Sequence, residues 1–218
     1  MTGFPRSPRL TQAGLVLIDP ASGAVARIIT LQYAAETLQR SLEAQAAADE
    51  PDRSQPLRLK GPAVETISFD AELDATDQLA KPDEFPAATE AGIFPALSAL
   101  EGMLYPTVAQ LERQKQQSAA GTLEIAAAET PLALFVWSRH RVVPVRLTSL
   151  TITEEFFDPN LNPIRAKVSL SLRVLSVDDL GFGHRGSGLF LAYLQSKEAL
   201  AKRFASGELA KLGLRGLP

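Results

Sequence analysis

The sequence predicts an α+β protein built on an antiparallel β-barrel or sandwich of about six or seven strands, with one central helix and a C-terminal helix. Predicted strands follow one another in adjacent runs instead of alternating regularly with helices, which favours antiparallel pairing. Several segments alternate apolar and polar residues with a period of two, the pattern of a strand with one buried side. Hydrophobic residues make up 45% of the 218 residues, enough for a substantial core.

Composition narrows the classes of function. The net charge is −3 without a long block of one sign, so a dominant basic surface for nucleic acid is not expected. The chain has no cysteine, which excludes disulfides and thiolate metal sites. No stretch approaches the roughly 18 apolar residues of a membrane span, and the first ten residues lack the apolar segment of a signal peptide. We therefore expect a cytoplasmic protein without membrane insertion.

The first elements are predicted to be a hairpin. Residues 13–19 form an apolar run that ends in turn-forming residues, and residues 25–33 alternate after it. Residues 36–48 are helix-prone, and the acidic, proline-containing segment 49–56 that follows is predicted to be an exposed loop. Residues 63–74 alternate again and predict a strand with Ile67, Phe69, Ala71 and Leu73 directed inward.

The middle of the chain carries the predicted central helix. Residues 90–105 place Ile93, Leu97, Leu100 and Leu104 at helical spacing, and Pro106 ends the pattern. Residues 108–117 extend it as a polar helical segment. Residues 123–137 are apolar and predict a buried strand that ends at Trp137.

Two long strands follow, joined by the connection Asp-Pro-Asn-Leu-Asn-Pro. In residues 141–157 the apolar positions shift phase, from odd numbers up to Leu147 to even numbers from Leu150 onward. A phase shift inside one strand predicts a β-bulge. Residues 164–177 alternate cleanly, with Val168, Leu170, Leu172 and Val174 on the apolar side. Residues 189–204 are predicted to form the C-terminal amphipathic helix.

A glycine run at residues 181–186 has the form GxGxxG and lies between a strand and a helix, as a dinucleotide-binding loop does. The preceding strand alternates, whereas a central parallel strand is apolar on both sides. Only ten residues follow Glu208, the acidic residue about 20 positions on, so a second parallel strand has no room. A flexible turn before a helix capped by Ser187 is the favoured interpretation, and a nucleotide-binding enzyme is the alternative.

No catalytic, cofactor-binding or metal-binding residues are predicted. His140 and His184 have no acidic or histidine neighbours at metal-ligand spacing, and His140 is expected in an exposed turn. The acidic residues around the 63–74 strand lack the order of a calcium loop, so we interpret them as a solvated or subunit-facing stripe. Basic residues of the last two strands lack interleaved aromatics and indicate a polar sheet surface or a partner for that stripe. Phe156 and Phe157 are left open as core residues or interface anchors.

Together these segments resemble the contractile injection system tube-protein family, the phage-tail-like group that includes tube initiators. The resemblance covers roughly residues 13–180. The matching elements are the strand Ile67-Ser68-Phe69-Asp70 with its continuation to Asp77, the helix from Gly92 to Pro106, and the paired strands from Val143 through Asp158-Pro159-Asn160-Leu161-Asn162-Pro163 to Ala166.

The resemblance implies a tail-tube-like domain at 13–180, after an extension at 1–12 and before a glycine turn and helical tail at 181–218. It implies a structural protein, not an enzyme, that forms a homo-oligomer, a six-membered ring initiating or continuing the inner tube at the baseplate. Its partners would be tube, baseplate and sheath or spike subunits of a particle assembled in the cytoplasm or released with it. A cap-side terminator or adaptor is the alternative, since the LysM module of many tube initiators is missing. The candidate interface residues are Asp70, Glu72, Asp74, Phe156, Phe157, Asn160, Asn162 and Arg165.

Overall fold

A computed structural model describes residues 12–19, 22–31, 36–46, 59–119, 130–205, 207 and 211. Within them the chain forms seven strands and six helices. The strands are β1 (Gly14–Ile18), β2 (Val25–Thr30), β3 (Leu38–Glu43), β4 (Val64–Asp74), β5 (Leu132–Ser138), β6 (Arg141–Phe157) and β7 (Pro163–Val174). The helices are α1 (Thr76–Leu79), α2 (Pro86–Ala91), α3 (Phe94–Glu101), α4 (Val108–Ala119), α5 (Val177–Leu180) and α6 (Arg185–Ala201).

All seven strands belong to one antiparallel sheet in the order β2-β1-β5-β6-β7-β4-β3. The predicted α+β class, the antiparallel pairing and the β1–β2 hairpin are confirmed. Closure into a barrel is not found, because β2 and β3 lie at opposite ends of the sheet and do not pair within the described residues.

Strand β6 changes its partner partway along its length. Residues 141–145 pair with β5, whereas residues 145–157 pair with β7. The register shifts between Leu147 and Ser149, which confirms the predicted bulge. Strands that pass from one layer to another do so at bends or bulges. The sheet therefore folds into two layers, one of β2, β1, β5 and the first part of β6, the other of the second part of β6, β7, β4 and β3.

The core lies between these layers. The rings of Phe69 on β4 and Phe135 on β5 stack with centroids 5.3 Å apart. Three strand spacings separate β4 from β5 in the sheet order, about 14 Å if the sheet were flat. Ring contact across that interval requires the two inner surfaces to face each other. The residues predicted to point inward from β4 and β7 are buried: Ile67, Phe69, Ala71, Leu73, Val168, Leu170, Leu172 and Val174.

The predicted central helix is divided into α2 and α3 by Gly92. This glycine has φ +57°, a conformation that disfavours side chains, and a Cβ there would collide with the Pro163 carbonyl oxygen. The Ile93 N–H donates to the same oxygen at 2.9 Å. Leu97 and Leu100 of α3 reach the core. The break thus lets the helix pair dock against the start of β7.

The C-terminal helix is confirmed as α6, which begins and ends a few residues before the predicted bounds. Its Phe190 and Tyr193 belong to the core. Near its start Gly186 lies against Leu132 of β5, and further along Tyr193 contacts Glu65 of β4. The helix therefore connects the two layers at the end of the sheet where β6 pairs with β5. No helix of the described residues is both long and apolar enough to cross a membrane.

The helix expected at 36–48 is wrong. Residues 38–43 form β3 and pair antiparallel with β4, from Leu38 opposite Phe69 to Glu43 opposite Val64. Pairing with the edge of β4 satisfies the backbone hydrogen bonds of this segment as a strand. This tertiary contact outweighs the local helix propensity of the segment. The predicted loop at 49–56 and the part of the predicted strand at 123–129 lie outside the described residues.

Candidate assembly surfaces

One side of β6 is unpaired over twelve residues. Within the described chain no strand pairs with residues 146–157 on the side that faces away from β7. We name this side the β6 free edge. Its backbone N–H and C=O groups have no strand partner among the described residues, and an unpaired edge of this kind is where sheets extend between chains.

The residue types along the β6 free edge are those typical of a strand that has a partner on both sides. Beyond the bulge, residues 149–153 are Ser, Leu, Thr, Ile and Thr, with the serine and threonines exposed and the leucine and isoleucine packed against the core. Lysine and proline, which protect natural edge strands from association, are absent from this segment. Residues 149–153 thus combine a strong strand-forming sequence with no charged side chain, so a partner strand is expected along this part of the edge.

The β6–β7 connection, residues 156–162, forms a rigid loop that we name the hairpin tip. Asp158 Oδ1 accepts hydrogen bonds from the backbone N–H groups of Asn160 and Asn162, both at 2.8 Å. The Asn162 side-chain amide donates to Asp158 Oδ2 at 2.9 Å and to the Glu90 carbonyl oxygen at 3.1 Å. The hydrogen bond from the Asn162 side chain, helped by the two backbone N–H groups, lowers the pKa of Asp158. Asn160 and Asn162, predicted as interface residues, are engaged in holding the loop itself.

The hairpin tip presents large apolar side chains to solvent. Phe156, Phe157 and Leu161 are 66%, 49% and 75% exposed, so the two phenylalanines are not core residues. Phe156 and Leu161 also have φ of +53° and +65°, the left-handed region that bulky residues avoid. Such backbone strain costs about 1 kcal/mol or more per residue and persists where the surrounding structure imposes it.

The predicted acidic stripe faces outward from β4, but part of it is neutralised within the chain. Glu72 forms a salt bridge with Arg165 of β7. Asp74 Oδ1 accepts the Thr76 N–H at 2.7 Å, and Asp70 is exposed opposite Ser169. These cross-strand contacts explain much of the alternation of acidic and basic residues on this surface.

The basic residues of β7 are likewise paired. Lys167 bonds to Glu155 across the β6–β7 pair at 3.0 Å, and Arg173 bonds to Asp179 of α5 at 2.9 Å. Arg165 pairs with the acidic stripe of its own chain. The sequence leaves open a polar sheet surface or a contact with the stripe of a neighbouring subunit. The outer surface of β4, β7 and β6 is therefore a mixed polar surface, not a basic one.

The glycine run lies in a context that differs from a dinucleotide-binding loop. The strand before it, β7, is antiparallel to both neighbours, and α5 intervenes between β7 and the glycines. Helix α6 is capped by His184 Nδ1, which accepts the Gly186 N–H at 3.0 Å, and not by Ser187. Ser187 is buried and donates to the Gly181 carbonyl oxygen. The run serves as the turn that leads α6 back onto the sheet.

The predicted exposed position of His140 is confirmed. It lies in the turn between β5 and β6, where Arg139 Nε donates to its Nε2 at 3.0 Å. The described residues contain no group of three or more histidine, cysteine or acidic side chains placed to hold a metal ion.

Glu65, one of the acidic residues around the 63–74 strand that were interpreted as a solvated or subunit-facing stripe, is instead buried and clamps α6 to the sheet. Glu65 is 3% exposed and accepts hydrogen bonds from Arg40 Nε at 2.8 Å, Tyr193 at 3.1 Å and Lys197 Nζ at 3.0 Å. Burial raises the pKa of Glu65, but the hydrogen bonds and charges of Lys197 and Arg40 outweigh burial and leave that pKa below its ordinary value of 4.5. The signal was available, since residue 65 shares the inward parity of residues 67–73.

A cleft between the end of β4 and helices α1 to α3, the α2–α3 cleft, has a volume of about 250 Å³. Its floor is formed by the buried side chains of Leu73, Ala88 and Ile93, and its polar rim by Asp74 and Gln78. It lies beside the hairpin tip, because Gly92 and Ile93 contact Pro163.

No family model and no curated protein matches this chain. Two solved structures are similar at low identity. A chain from the tail of an empty gene transfer agent particle, refined helically with C6 symmetry, has 13% identity and a TM-score of 0.30, with 75% of this chain and 90% of that chain covered. A chain from the virion of a native gene transfer agent particle has 14% identity and a TM-score of 0.29, with 74% and 90% covered.

Proposed function

We propose that this chain is a structural subunit of a phage-tail-like contractile injection particle. Copies assemble into a six-membered ring that initiates or continues the inner tube at the baseplate. The β6 free edge carries the proposal, because twelve residues of a long strand that have no partner on that side among the described residues are suited to pair with a neighbouring subunit. A contact between two different surfaces closes into a ring when the rotation between copies closes.

The outer surface of the second layer supports the same function. Serine and threonine follow one another across β4, β7 and β6, with Ser68 opposite Ser171 and Ser169 opposite Thr151. Ser68 and Ser171 share a hydrogen bond of 3.4 Å. Hydroxyl groups keep such a surface wet without binding charged cargo strongly, which suits the wall of an aqueous channel. Tube, baseplate and sheath or spike subunits are the proposed partners.

A pair of proline substitutions tests the edge. Successive N–H groups of a strand point to opposite sides, so one of Thr153→Pro and Glu154→Pro removes only a free-edge N–H and the other removes a bond to β7. Both residues are exposed, so side-chain burial does not confound the comparison. We expect one variant to retain monomer stability while losing ring formation in native mass spectra and negative-stain images. Wild-type rings in the stable variant would contradict edge pairing.

Labelling the subunit in particles from cells that co-express sheath, tube and baseplate proteins tests its position. Label at the baseplate end, or along the tube, agrees with the proposal, and label only at the opposite end identifies a cap-side terminator or adaptor instead. A chain that stays monomeric at high concentration and never joins particles would overturn the proposed function.

A further inference from the structure

We propose that the hairpin tip of one copy, with its exposed Phe156, Phe157 and Leu161, docks on the α2–α3 cleft of the next copy, with one of these side chains inserted as the anchor and the others packed around it. The inference deepens the proposed function, on which it rests for the number of copies in the ring. The contact itself requires only two copies of this chain.

The hairpin tip, which is the donor in this contact, is held in one conformation by hydrogen bonds within its own chain. The three side chains are about half exposed or more, and contiguous exposed apolar groups often mark interaction sites. The Asp158 hydrogen bonds fix the loop that carries them. A rigid aromatic group loses little conformational freedom on binding, and aromatic residues dominate the binding energy of many interfaces.

The acceptor has matching chemistry. The floor of the α2–α3 cleft is apolar and its rim is polar, which is the arrangement of a pocket that receives one anchoring side chain. None of Phe156, Phe157 and Leu161 lines the cleft of its own chain. Among the described residues, the tip of the same chain therefore does not fill the cleft.

The hairpin tip and the α2–α3 cleft are different surfaces of the chain, so one copy can contact the next in a head-to-tail manner. Both lie at the end of the β6–β7 hairpin, since the tip contacts Glu90 and the cleft includes Gly92. The tip continues β6, whereas the cleft adjoins β4, and these strands flank β7 on opposite sides. Because the tip and the cleft are two different surfaces, a contact between them is heterologous, and contacts of that type close into a ring when the rotation between copies closes.

The test begins with a tip variant, Phe156→Asn with Leu161→Asn, studied in the full chain by sedimentation equilibrium. Asparagine tolerates the left-handed conformation, so the monomer should be as stable as the wild type or more stable. Self-association should weaken about thirtyfold, as expected for loss of an anchoring contact. The matched control is Phe182→Ser, which alters a phenylalanine that is 81% exposed in the turn between α5 and α6 and should change association less than twofold.

A complementation experiment identifies the acceptor. Ala87 is exposed and lines the cleft, so Ala87→Arg blocks it without removing a core side chain. Each variant alone should self-associate about thirtyfold more weakly than the wild type, but an equimolar mixture should form one-to-one dimers with the wild-type affinity of this contact, since one intact tip and one intact cleft remain. A monomeric mixture, a wild-type chain that is monomeric at every concentration, or equal loss with Phe182→Ser would overturn the proposal.

The two proposals fail separately. Rings that form normally from the tip variant would overturn this contact and leave the ring function standing. Copies that associate through tip and cleft but never join particles would support the contact and overturn the function.

Discussion

Residues 141–145 and residues 146–157 belong to one strand, yet their surroundings differ. In the first part Val143 and Val145 are almost fully buried, and the residues pair with β5. In the second part most residues are exposed and pair with β7 alone among the described strands. The bulge between Leu147 and Ser149 marks the change. The first part of β6 contributes to the buried core, and the second presents the exposed surface that we propose for assembly.

The two ends of the molecule follow the same division. At the end where β6 pairs with β5, the buried charge of Glu65 has three donors and α6 covers the core. At the hairpin tip, apolar side chains are exposed and two residues are strained. Natural proteins tend to accept local strain where they bind, and compensate with well-satisfied contacts elsewhere.

The largest contrast should come from placing a charge in each part of β6. Val143→Asp buries an unpaired carboxylate and should lower the free energy of unfolding by about 4–5 kcal/mol or prevent folding. Thr153→Asp, on the exposed part, should change it by about 0.5 kcal/mol or less. Urea denaturation of both variants measures the difference. Similar losses in the two variants would remove the distinction between the two parts.

The Glu65 clamp should give the next largest effect. Glu65→Gln leaves Arg40 and Lys197 without their carboxylate and should cost about 2–3 kcal/mol of unfolding free energy at neutral pH, discounted because both cations are partly exposed. Tyr193→Phe, which removes a single donor, should cost about 1 kcal/mol. An unchanged midpoint in chemical denaturation of Glu65→Gln would exclude the clamp.

The clamp also predicts a pH dependence. Because the folded-state pKa of Glu65 lies below its ordinary value of 4.5, the contribution is present above that value and is lost as pH falls through the folded pKa. Acidification from pH 6 to pH 3 should therefore reduce the stability difference between wild type and Glu65→Gln. A difference that stays constant over that range would contradict the assigned pairing.

The hydrogen bond at the β6 bulge should contribute less to the free energy of unfolding than the Glu65 clamp does. The Thr148 hydroxyl donates to the Ser171 carbonyl oxygen at 2.9 Å, which satisfies a backbone group at the register shift. Thr148→Val removes the donor and keeps the branched shape, so we expect a loss of about 1 kcal/mol. Thr151→Val, with no such bond described, is the control, and equal stability of the two variants would show that the hydroxyl does not support the bulge.

The smallest effect should come from the exposed pair of Glu155 and Lys167. The lysine side chain is 61% exposed, and exposed pairs of this kind contribute little. Glu155→Gln should change the unfolding free energy by less than about 0.5 kcal/mol, checked by the same denaturation experiment at low and high salt. A loss comparable with Glu65→Gln would erase the contrast between the two ends.

Local pattern was sufficient to predict much of this fold. Alternation identified β4 and β7, and the phase shift near Leu147 predicted the bulge. The helix expected at 36–48 failed because pairing with β4 outweighed propensity, a contact between distant parts of the chain. The break at Gly92 follows from its approach to Pro163, 71 residues away in the sequence, which no local pattern shows.

The assembly surfaces were predictable only in part. The sequence indicated Phe156 and Phe157 but left their exposure open, and it did not indicate Leu161, whose left-handed backbone depends on the Asp158 loop. The β6 free edge depends on which strand lies beside β6 and where that strand ends. Among the described residues β5 begins at Leu132, whereas the sequence pattern predicts a strand over residues 123–137, so the edge was not predicted from the sequence.

Amide hydrogen exchange along residues 148–157 tests the central claim most directly. In the isolated monomer the N–H groups on the β6 free edge should exchange rapidly while their neighbours bonded to β7 are protected. In assembled particles we predict that the edge groups become protected by at least about tenfold, with little change in β1 and β5. Assembled particles in which these amides exchange as fast as in the monomer would contradict the account.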